Sequence, residues 1–255
     1  MKVEAGRFER RLGALEIHSD FLTGGFRAVM SLGQAGNMGL GSPESPANRG
    51  EFLNSLGVEG SRVLSLPLRH SRKVWTLRDS EGRKRFEEFV EKDGGADGIV
   101  LAGRIWIGSV TVADCMPIWL LDRKTGSFGI LHSGWKGTGI LESGINSMAK
   151  AFGTIPEDLT VVLGPSIGSC CYRISAERAE GFRAEFGPES TEQRQIEREA
   201  AWFLDLGGAN RGIAGRMDVA VLVDARICTA CSPEFGSFRR EGEGFTRMLA
   251  LAGYF

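Results

Sequence analysis

The feature that most constrains the fold is a series of continuous apolar, β-branched runs with few helical segments between them. The pattern is found in segments 62–68, 96–102, 106–113, 117–121, 127–132, 159–163 and 219–223. Runs of this kind are typical of strands that are covered on both faces. Because the runs do not alternate regularly with helices, a simple βαβ repeat does not fit. We therefore predict an α+β fold, with a mixed sheet or two stacked sheets flanked by helices.

Helical periodicity is restricted to a few places. Apolar residues recur at intervals of three and four in segments 138–152, 175–186 and 192–203. Such spacing gives a helix one apolar face. We predict Ser175 as the N-cap of the second helix, because its hydroxyl can accept a hydrogen bond from a free backbone N–H. By the same criterion, Asn48, near the end of the loop-like segment 33–50, is predicted to cap a further helix.

Length, charge and cysteine content exclude several classes of protein. The chain has 255 residues, which suits one large domain or two tightly packed halves. Its net charge of −1 argues against nucleic-acid binding, for which a basic excess is usual. Neither a membrane-length apolar run nor an N-terminal secretory signal is present, so we expect a cytoplasmic protein with no membrane partner. The odd number of cysteines, five, argues against a disulfide framework. Oligomeric state is left open.

Three side chains that can bind a metal lie near the ends of predicted strands. They are His70, Cys115 and His132. Strand ends on one edge of a sheet lie close together, so these residues are placed to converge. Two imidazoles and a thiolate, with a fourth position open, are typical of a catalytic zinc site, and copper accepts the same donors. The alternative is two core histidines and an unrelated thiol. His18 lies in an alternating segment and is interpreted as the polar face of an early strand.

The remaining four cysteines form two pairs, Cys170 with Cys171 and Cys228 with Cys231. The C-x-x-C spacing of the second pair suits zinc or redox chemistry. The four thiols could form one site, but adjacent cysteines rarely chelate a single zinc ion. We therefore interpret them as packing thiols. The chain contains no His-x-Glu sequence, which zinc deaminases of the C-x-x-C type require.

Several short motifs occur in one order along the chain. They are His-Ser at 70–71, ADCMP at 113–117, HSGWKG at 132–137, GPSIGSCCYRI at 164–174, DLGGAN at 205–210, and CT followed by SFRREG within 228–242. The series resembles the YfiH-like family, whose members are known as laccase-domain or polyphenol oxidase proteins and as purine nucleoside phosphorylases. The resemblance extends from about residue 37 to the C-terminus. Several motifs in register are far more specific than any one of them.

The resemblance implies a single catalytic domain over residues 1–255, a sandwich with layers in the order α/β/β/α. It implies a metal, usually zinc with copper possible, held at the positions of His70, Cys115 and His132. Phosphorolysis of adenosine, inosine, guanosine and methylthioadenosine is implied, together with deamination of adenosine, so purine nucleosides and phosphate are the expected partners.

Three alternatives remain at this point. The first is a metal-free amide hydrolase that uses Cys115 and His132 and edits peptidoglycan precursors. The second is a copper-dependent polyphenol oxidase, although a multicopper enzyme needs many more than three histidines. The third is a metal-binding module without catalytic activity.

Other residues near the motifs are candidates for supporting roles. Asp114 is a candidate catalytic residue, either as a proton carrier or as a group that orients a histidine. Trp135 could stack on a purine base. Candidate phosphate-binding cations are Arg49, Lys136, Arg239 and Arg240. Backbone N–H groups near Gly134 and Gly137 could add to anion binding.

The chain departs from the family pattern at three positions. Lys136 stands where the family usually carries arginine, which keeps the charge but loses planar bidentate recognition. Arg173 replaces a residue that is commonly acidic or an amide, and Phe238 lacks the usual phenol. These departures bear on substrate preference and leave the metal-binding residues unchanged.

Overall fold

The computed structural model describes residues 1–255 apart from Ala5, Leu12 and Arg198. Its strands are β1 Lys2–Glu4, β2 Arg7–Arg11, β3 Ala14–His18, β4 Phe26–Ser31, β5 Val63–Ser65, β6 Val74–Arg78, β7 Gly98–Ala102, β8 Ile107–Val112, β9 Met116–Asp122, β10 Phe128–Ser133, β11 Leu159–Leu163, β12 Arg173–Ile174, β13 Thr191–Ile196, β14 Glu199–Leu204, β15 Val221–Asp224 and β16 Met248–Tyr254. Its α-helices are α1 Ser45–Ser55, α2 Gly82–Asp93, α3 Ile140–Phe152, α4 Ala176–Phe186, α5 Leu206–Arg216 and α6 Phe238–Glu241.

Two mixed sheets contain most of the strands. The seven-stranded sheet has the order β1-β15-β11-β9-β10-β7-β6, and the six-stranded sheet has the order β2-β3-β4-β16-β8-β5. In the first sheet the central strands β11, β9, β10 and β7 are antiparallel, while parallel pairs lie at both edges. A third, three-stranded antiparallel sheet has the order β12-β14-β13.

Strand β9 shows how the layers stack. Its side chains alternate between the two faces of the sheet, as the twofold repeat of a strand requires. Trp119 and Leu121 join the cluster shared with the six-stranded sheet, whereas Ile118 and Leu120 join the cluster formed with helices α3, α4 and α5. Helix α1 covers the outer face of the six-stranded sheet. The predicted α+β fold with α/β/β/α layers is confirmed.

Most predicted elements coincide with observed ones. The prediction for 159–163 matches β11, and the helices predicted over 138–152 and 175–186 correspond to α3 and α4. Ser175 is the N-cap of α4, where its Oγ accepts a hydrogen bond from the Arg178 N–H at 3.3 Å. The strand predicted over 62–68 is shorter, because only Val63–Ser65 pairs with β8.

The helix predicted over 192–203 is wrong. This segment forms the hairpin of β13 and β14, and Arg198 lies outside the described residues. Its apolar residues fit both periods, but Ala201 and Phe203 alternate toward the interior while Ile196 is 41% exposed. Pairing of β14 with β12 and packing of alternate side chains therefore override the helical pattern.

The N-cap predicted at Asn48 is also wrong. Helix α1 begins at Ser45, with Glu44 in the capping position. Asn48 lies inside the helix, and its Nδ2 donates to the Asn37 backbone oxygen at 3.0 Å. The amide of Asn48 therefore fixes the preceding loop rather than the helix end.

Within the described residues, no helix combines the length and apolarity needed to cross a membrane. Helix α3, for example, has 13 residues, whereas a helical span requires about 20.

We predict that Trp119→Phe destabilises the fold by about 1–3 kcal/mol, the usual cost of losing a buried hydrogen-bond partner. Trp119 is fully buried between the sheets, and its indole Nε1 donates to the Leu251 backbone oxygen on β16 at 2.7 Å. Urea denaturation measures the free energy of unfolding. Trp106→Phe is the matched control, because the Trp106 Nε1 has no partner among the described residues. Equal losses in the two variants would contradict the prediction.

Candidate active site

At one end of the sandwich, the chain crosses twice from the six-stranded sheet to the seven-stranded sheet. The β5–β6 connection carries His70, and the β8–β9 connection carries Cys115. Both connections contain a left-handed residue that is not glycine, with φ of 55° at His70 and 77° at Asp114. Each such residue costs of order 1–3 kcal/mol and persists where surrounding contacts determine the backbone. His132 lies near the end of β10, beside β9.

The three sequence-predicted metal ligands lie together. Their nearest ligand atoms are all within 4.8 Å of one another. The rings of His70 and His132 are 5.0 Å apart and nearly perpendicular, with an interplanar angle of 81°. Tetrahedral zinc, with bonds of about 2.0–2.3 Å, separates its ligand atoms by about 3.3–3.8 Å. Small side-chain movements therefore close this cluster around one ion, and the two-nitrogen, one-sulfur donor set fits such a metal.

A buried carboxylate orients His132. Asp97 has no exposed surface, and its Oδ1 lies 3.0 Å from His132 Nδ1. The backbone already places the two residues side by side, since the His132 N–H donates to the Asp97 carbonyl oxygen at 2.7 Å. With Nδ1 engaged by the carboxylate, Nε2 is the nitrogen available to a metal. Carboxylate–histidine pairs of this kind fix the ring and raise its basicity as a ligand.

The same carboxylate holds the loop that carries His70. Asp97 accepts hydrogen bonds from the backbone N–H of His70 at 2.9 Å and from that of Ser71 at 2.7 Å. The Ser71 hydroxyl donates to it as well, at 2.7 Å. One acidic side chain thus sets the positions of two candidate metal ligands. Sequence reasoning missed Asp97, although a charged residue inside the apolar run 96–102 was an available signal, since a buried charge requires partners.

The cluster perturbs the acid–base properties of its members. Burial by itself would raise the pKa of Asp97, but hydrogen bonds from His132 and Ser71 lower it to about 2. Burial likewise opposes the charged form of His132, yet the charge of Cys115 and the bond to Asp97 raise the pKa of this imidazole to about 9. Burial disfavours the Cys115 thiolate, while His132 and His70 lower its pKa to about 6. Without a metal, Cys115 and His132 therefore form a thiolate–imidazolium pair at neutral pH.

Glycine 134 leaves room for the sulfur atom. A Cβ atom at this position would lie 2.7 Å from Cys115 Sγ. At Gly137, a Cβ atom would lie 2.8 Å from the Ser71 backbone oxygen. Both glycines let the segment after His132 approach the other site loops closely. Anion binding by their N–H groups stays a prediction.

Asp114, the other predicted catalytic residue, contacts the C-terminal loops. Its Oδ1 accepts a hydrogen bond from the Thr229 hydroxyl at 2.7 Å, and its Oδ2 accepts one from the Arg239 backbone N–H at 2.7 Å. The group that orients His132 is therefore Asp97, whereas Asp114 fixes the turn that precedes Cys115. A proton-carrying role for Asp114 stays a prediction.

The cluster opens into a cavity of about 900 Å³, which is within the usual size range for small-molecule sites. Four arginines line it, namely Arg69, Arg178, Arg239 and Arg247. Aromatic lining is supplied by Trp135, Tyr172, Phe238 and Phe245. Among the described lining residues, Asp114 supplies the one carboxylate. The cavity thus combines positive charge with flat apolar surfaces.

Of the predicted substrate-binding residues, Trp135 and Arg239 line the cavity. Arg49, Lys136 and Arg240 are not among its described lining residues. The Arg49 guanidinium donates instead to the Met38 backbone oxygen at 2.6 and 2.9 Å and to Ser65 Oγ at 2.8 Å.

The other two cations have different surroundings. Arg240 donates to several backbone oxygens of its own loop region, including that of Thr229 at 2.8 Å. Lys136 is exposed, with Nζ 5.3 Å from the centre of the Trp135 ring. The lining cations Arg69, Arg178 and Arg247 were missed, because an isolated arginine in a sequence does not show which way its side chain points.

The four remaining cysteines do not all lie in the core. Cys170 and Cys231 are exposed, so their interpretation as packing thiols is wrong. Cys171 and Cys228 are partly buried, and all four sulfur atoms lie within 4.8 Å of one another. The turns of two chain segments about 60 residues apart bring them together.

A protein-family model matches most of the chain. The family model described as multi-copper polyphenol oxidoreductase laccase matches residues 34–254. The chain belongs to this family, as the sequence motifs predicted.

Individual relatives give more specific names. Mouse "purine nucleoside phosphorylase LACC1" is 30% identical over 243 residues, which are 90% of this chain and 53% of the relative. This chain thus spans about half the length of that relative. "Adenosine deaminase RL5", from an unknown prokaryotic organism, is 30% identical over 193 residues, 73% of each protein. The crystal structure of YlmD from Geobacillus stearothermophilus has the same fold, with a TM-score of 0.84 and 24% identity over 97% of this chain and 98% of that one.

We predict that Asp97→Asn weakens zinc binding by roughly 10- to 100-fold, the usual effect of removing the carboxylate behind a histidine ligand. The amide still fills the space but withdraws the negative charge from His132 Nδ1. Titration of the zinc-loaded protein with a competing chelator measures the affinity.

Asp79→Asn is the matched control for this experiment. The Asp79 carboxylate also accepts loop N–H groups, from Arg104 at 2.6 Å and from Ile105 at 3.1 Å, but lies outside the cluster. Unchanged zinc affinity in Asp97→Asn, or an equal loss in the control, would contradict the assignment.

Proposed function

We propose that this chain is a zinc-dependent purine nucleoside enzyme that catalyses phosphorolysis, with deamination of adenosine as a second reaction at the same site. The observation that carries the proposal is a His-Cys-His cluster opening into an arginine-lined, aromatic cavity of about 900 Å³. The names of the relatives support the substrate class, since they include purine nucleoside phosphorylases and an adenosine deaminase.

The balance of charge in the cavity favours phosphate as a co-substrate. The described lining residues include four arginines and one carboxylate, that of Asp114. This carboxylate already accepts two hydrogen bonds. A guanidinium group can donate two parallel hydrogen bonds to two oxygens of one phosphate, and it keeps its charge at all relevant pH values. We propose Arg239 as a phosphate ligand, because bonds from its backbone N–H to Asp114 and from its Nη1 to the Cys171 oxygen fix it in the cavity wall.

The aromatic lining suits a purine base. Trp135 and Tyr172 are partly buried in the cavity wall, and Phe238 is 54% exposed. Flat π-systems pack against such rings in offset or edge-on arrangements. The guanidinium of Arg178 lies 4.0 Å from the centre of the Trp135 ring, so one cation and one base-stacking surface are held together. Phe238 keeps the ring that the family usually carries as tyrosine and loses its hydroxyl.

His70, Cys115 and His132 would hold a zinc ion, which would supply Lewis-acid chemistry toward an oxygen atom of substrate or water. Asp97 keeps the ring of His132 in place, and Gly134 leaves the space that the Cys115 sulfur requires. In phosphorolysis, a phosphate oxygen bonds to the ribose C1′ while the bond from C1′ to the purine breaks, and the purine takes up a proton. In deamination, water replaces the amino group at C6 and ammonia leaves. Neither reaction transfers electrons, which favours zinc over copper.

We predict that the zinc-loaded protein converts adenosine to adenine and ribose 1-phosphate in the presence of phosphate, and releases ammonia from adenosine. Cys115→Ala and His132→Ala should abolish both activities, because each removes a ligand from the cluster. Mass analysis of products from a nucleoside panel, with and without phosphate, measures both reactions. His18→Ala is the control, since His18 lies on β3 outside the cavity. Full activity in the two cluster variants would overturn the proposal.

A second candidate, an amide hydrolase without metal, is supported by the geometry of the same residues. Cys115, His132 and Asp97 provide a nucleophile, a base and a group that orients the base, as in cysteine hydrolases. The lowered pKa of Cys115 keeps the sulfur in its reactive thiolate form. The hydrolase would form a thioester with an acyl group and release an amine before water regenerates the thiol.

We expect iodoacetamide to label Cys115 of the metal-free protein at a rate that rises with pH through about 6 and then levels off. The reason is that thiolate, rather than thiol, is the nucleophile. His132→Ala removes the imidazolium and should move this midpoint toward the ordinary pKa of cysteine. Peptide mapping by mass spectrometry identifies the labelled residue. A midpoint near the ordinary value in the parent protein would contradict the ion-pair assignment.

The same labelling experiment separates the two candidates. Zinc should protect Cys115 in a nucleoside enzyme. Amide turnover by metal-free protein, with zinc acting as an inhibitor, would favour the hydrolase.

A further inference from the structure

We propose that Cys170, Cys171, Cys228 and Cys231 form a second metal site, a structural four-thiolate zinc centre beside the cavity. The proposal does not depend on the chemistry at the His-Cys-His cluster. It rests on the position of the four sulfur atoms, the local backbone and the surrounding charges.

The sulfur geometry suits one ion. All four Sγ atoms lie within 4.8 Å of one another. Cys231 Sγ lies 3.6 Å from Cys170 Sγ and 3.3 Å from Cys171 Sγ. Tetrahedral zinc with four bonds of about 2.3 Å separates its sulfurs by about 3.8 Å. The observed set thus requires little movement to surround an ion, and four thiolates close its coordination as in structural rather than catalytic sites.

The backbone explains how adjacent cysteines reach the same point. The Cys171 and Tyr172 N–H groups both donate to the Gly168 oxygen, at 3.0 and 3.1 Å, so the chain turns tightly there. Both Cys170 and Cys171 consequently approach Cys231. A side chain at Gly168 would occupy this space, since its Cβ would lie 3.2 Å from Cys170 Sγ.

The second loop is fixed against the first. Ser166 and Cys228 form a parallel β-bridge, and the Thr229 N–H donates to the Ser166 oxygen at 3.0 Å. The Gly168 N–H also donates to Cys228 Sγ at 3.2 Å. Such a bond stabilises a thiolate and is common around metal-bound sulfur. Backbone contacts therefore bring the two loops together. These contacts are independent of the short distances between the sulfur atoms.

Arginine side chains contact both loops of the four-cysteine cluster. Arg239 Nη1 donates to the Cys171 oxygen at 3.0 Å, and Arg240 Nη1 donates to the Thr229 oxygen at 2.8 Å. Arg194 donates to the Ser169 oxygen. Four thiolates and one Zn²⁺ carry a net charge of −2, because the thiols release their protons and no electrons are transferred. Arg194 and Arg240 also pair with carboxylates, those of Glu192 at 3.2 Å and Glu241 at 2.6 Å, so the guanidinium groups offset part of this charge.

The position of the site gives it a role. The backbone oxygen of Cys171 accepts a hydrogen bond from Arg239, and Tyr172 follows Cys171 in the chain. Both Tyr172 and Arg239 line the cavity. Thr229, between Cys228 and Cys231, donates to Asp114. An ion held by the four cysteines would therefore fasten one wall of the cavity to the loop that carries Cys115.

The test is metal analysis of the 255-residue chain purified with a reducing agent. In the Cys115→Ala/His132→Ala variant, which lacks two ligands of the first cluster, we expect one zinc ion per chain. Adding Cys170→Ser and Cys231→Ser should remove it. Replacement of zinc by cobalt should give an intense thiolate-to-metal charge-transfer absorption in the first variant and none in the second. Chelation should lower the Tm of the first variant only.

Because this variant lacks the first cluster, failure of the proposed function and failure of this site are distinguishable. Absence of zinc and of cobalt–thiolate absorption in Cys115→Ala/His132→Ala would overturn the proposal, as would a disulfide found by mass spectrometry in place of metal.

Thiol labelling of the parent protein, with and without zinc, provides a second test that needs no variant. Zinc should shield Cys170, Cys171, Cys228 and Cys231 from a thiol reagent, as mapped by peptide mass. Equal labelling of these four residues with and without zinc would likewise overturn the proposal.

Discussion

The buried carboxylate of Asp97 is the interaction on which the rest of the site depends. A carboxylate without exposed surface is costly unless hydrogen bonds and a counter-charge compensate it. Here His132 supplies the counter-charge, and the N–H groups of His70 and Ser71 supply hydrogen bonds. The loop must therefore adopt the conformation that points these N–H groups inward. That requirement accounts for the left-handed backbone of His70, whose strain these bonds offset.

A second carboxylate holds the other side of the site. Asp114 is also left-handed and also nearly buried, and it binds the Thr229 hydroxyl and the Arg239 N–H. These bonds join the turn before Cys115 to the C-terminal loops, so one wall of the cavity is built from segments more than 100 residues apart. The two crossings into the seven-stranded sheet, β5–β6 and β8–β9, are thus each fixed by one acidic side chain. The seven-stranded sheet supplies the rigid frame, with His132 on one of its central strands.

Several parts of the fold and site were predictable from the sequence because they depend on local patterns. Strand β11 and helix α4 follow from apolar runs and from the cap at Ser175. The prediction for 192–203 failed because its apolar residues fit two periods at once, and pairing with β12 decided between them. At the site, the convergence of His70, Cys115 and His132 was readable from their positions near strand ends. The partner of His132 was not, since Asp97 looked like part of an ordinary strand.

By itself, the sequence determined the α+β class, the positions of the main strands along the chain and the presence of two imidazoles and a thiol suited to one metal. Tertiary structure decided which arginines line the cavity and that the Arg49 and Arg240 guanidinium groups donate to backbone oxygens. It also decided that four cysteines from two loops lie close together. The physical reason is the range of the interactions. Periodicity and capping act over a few residues, whereas side-chain direction and burial are set by packing between segments that are distant in the chain.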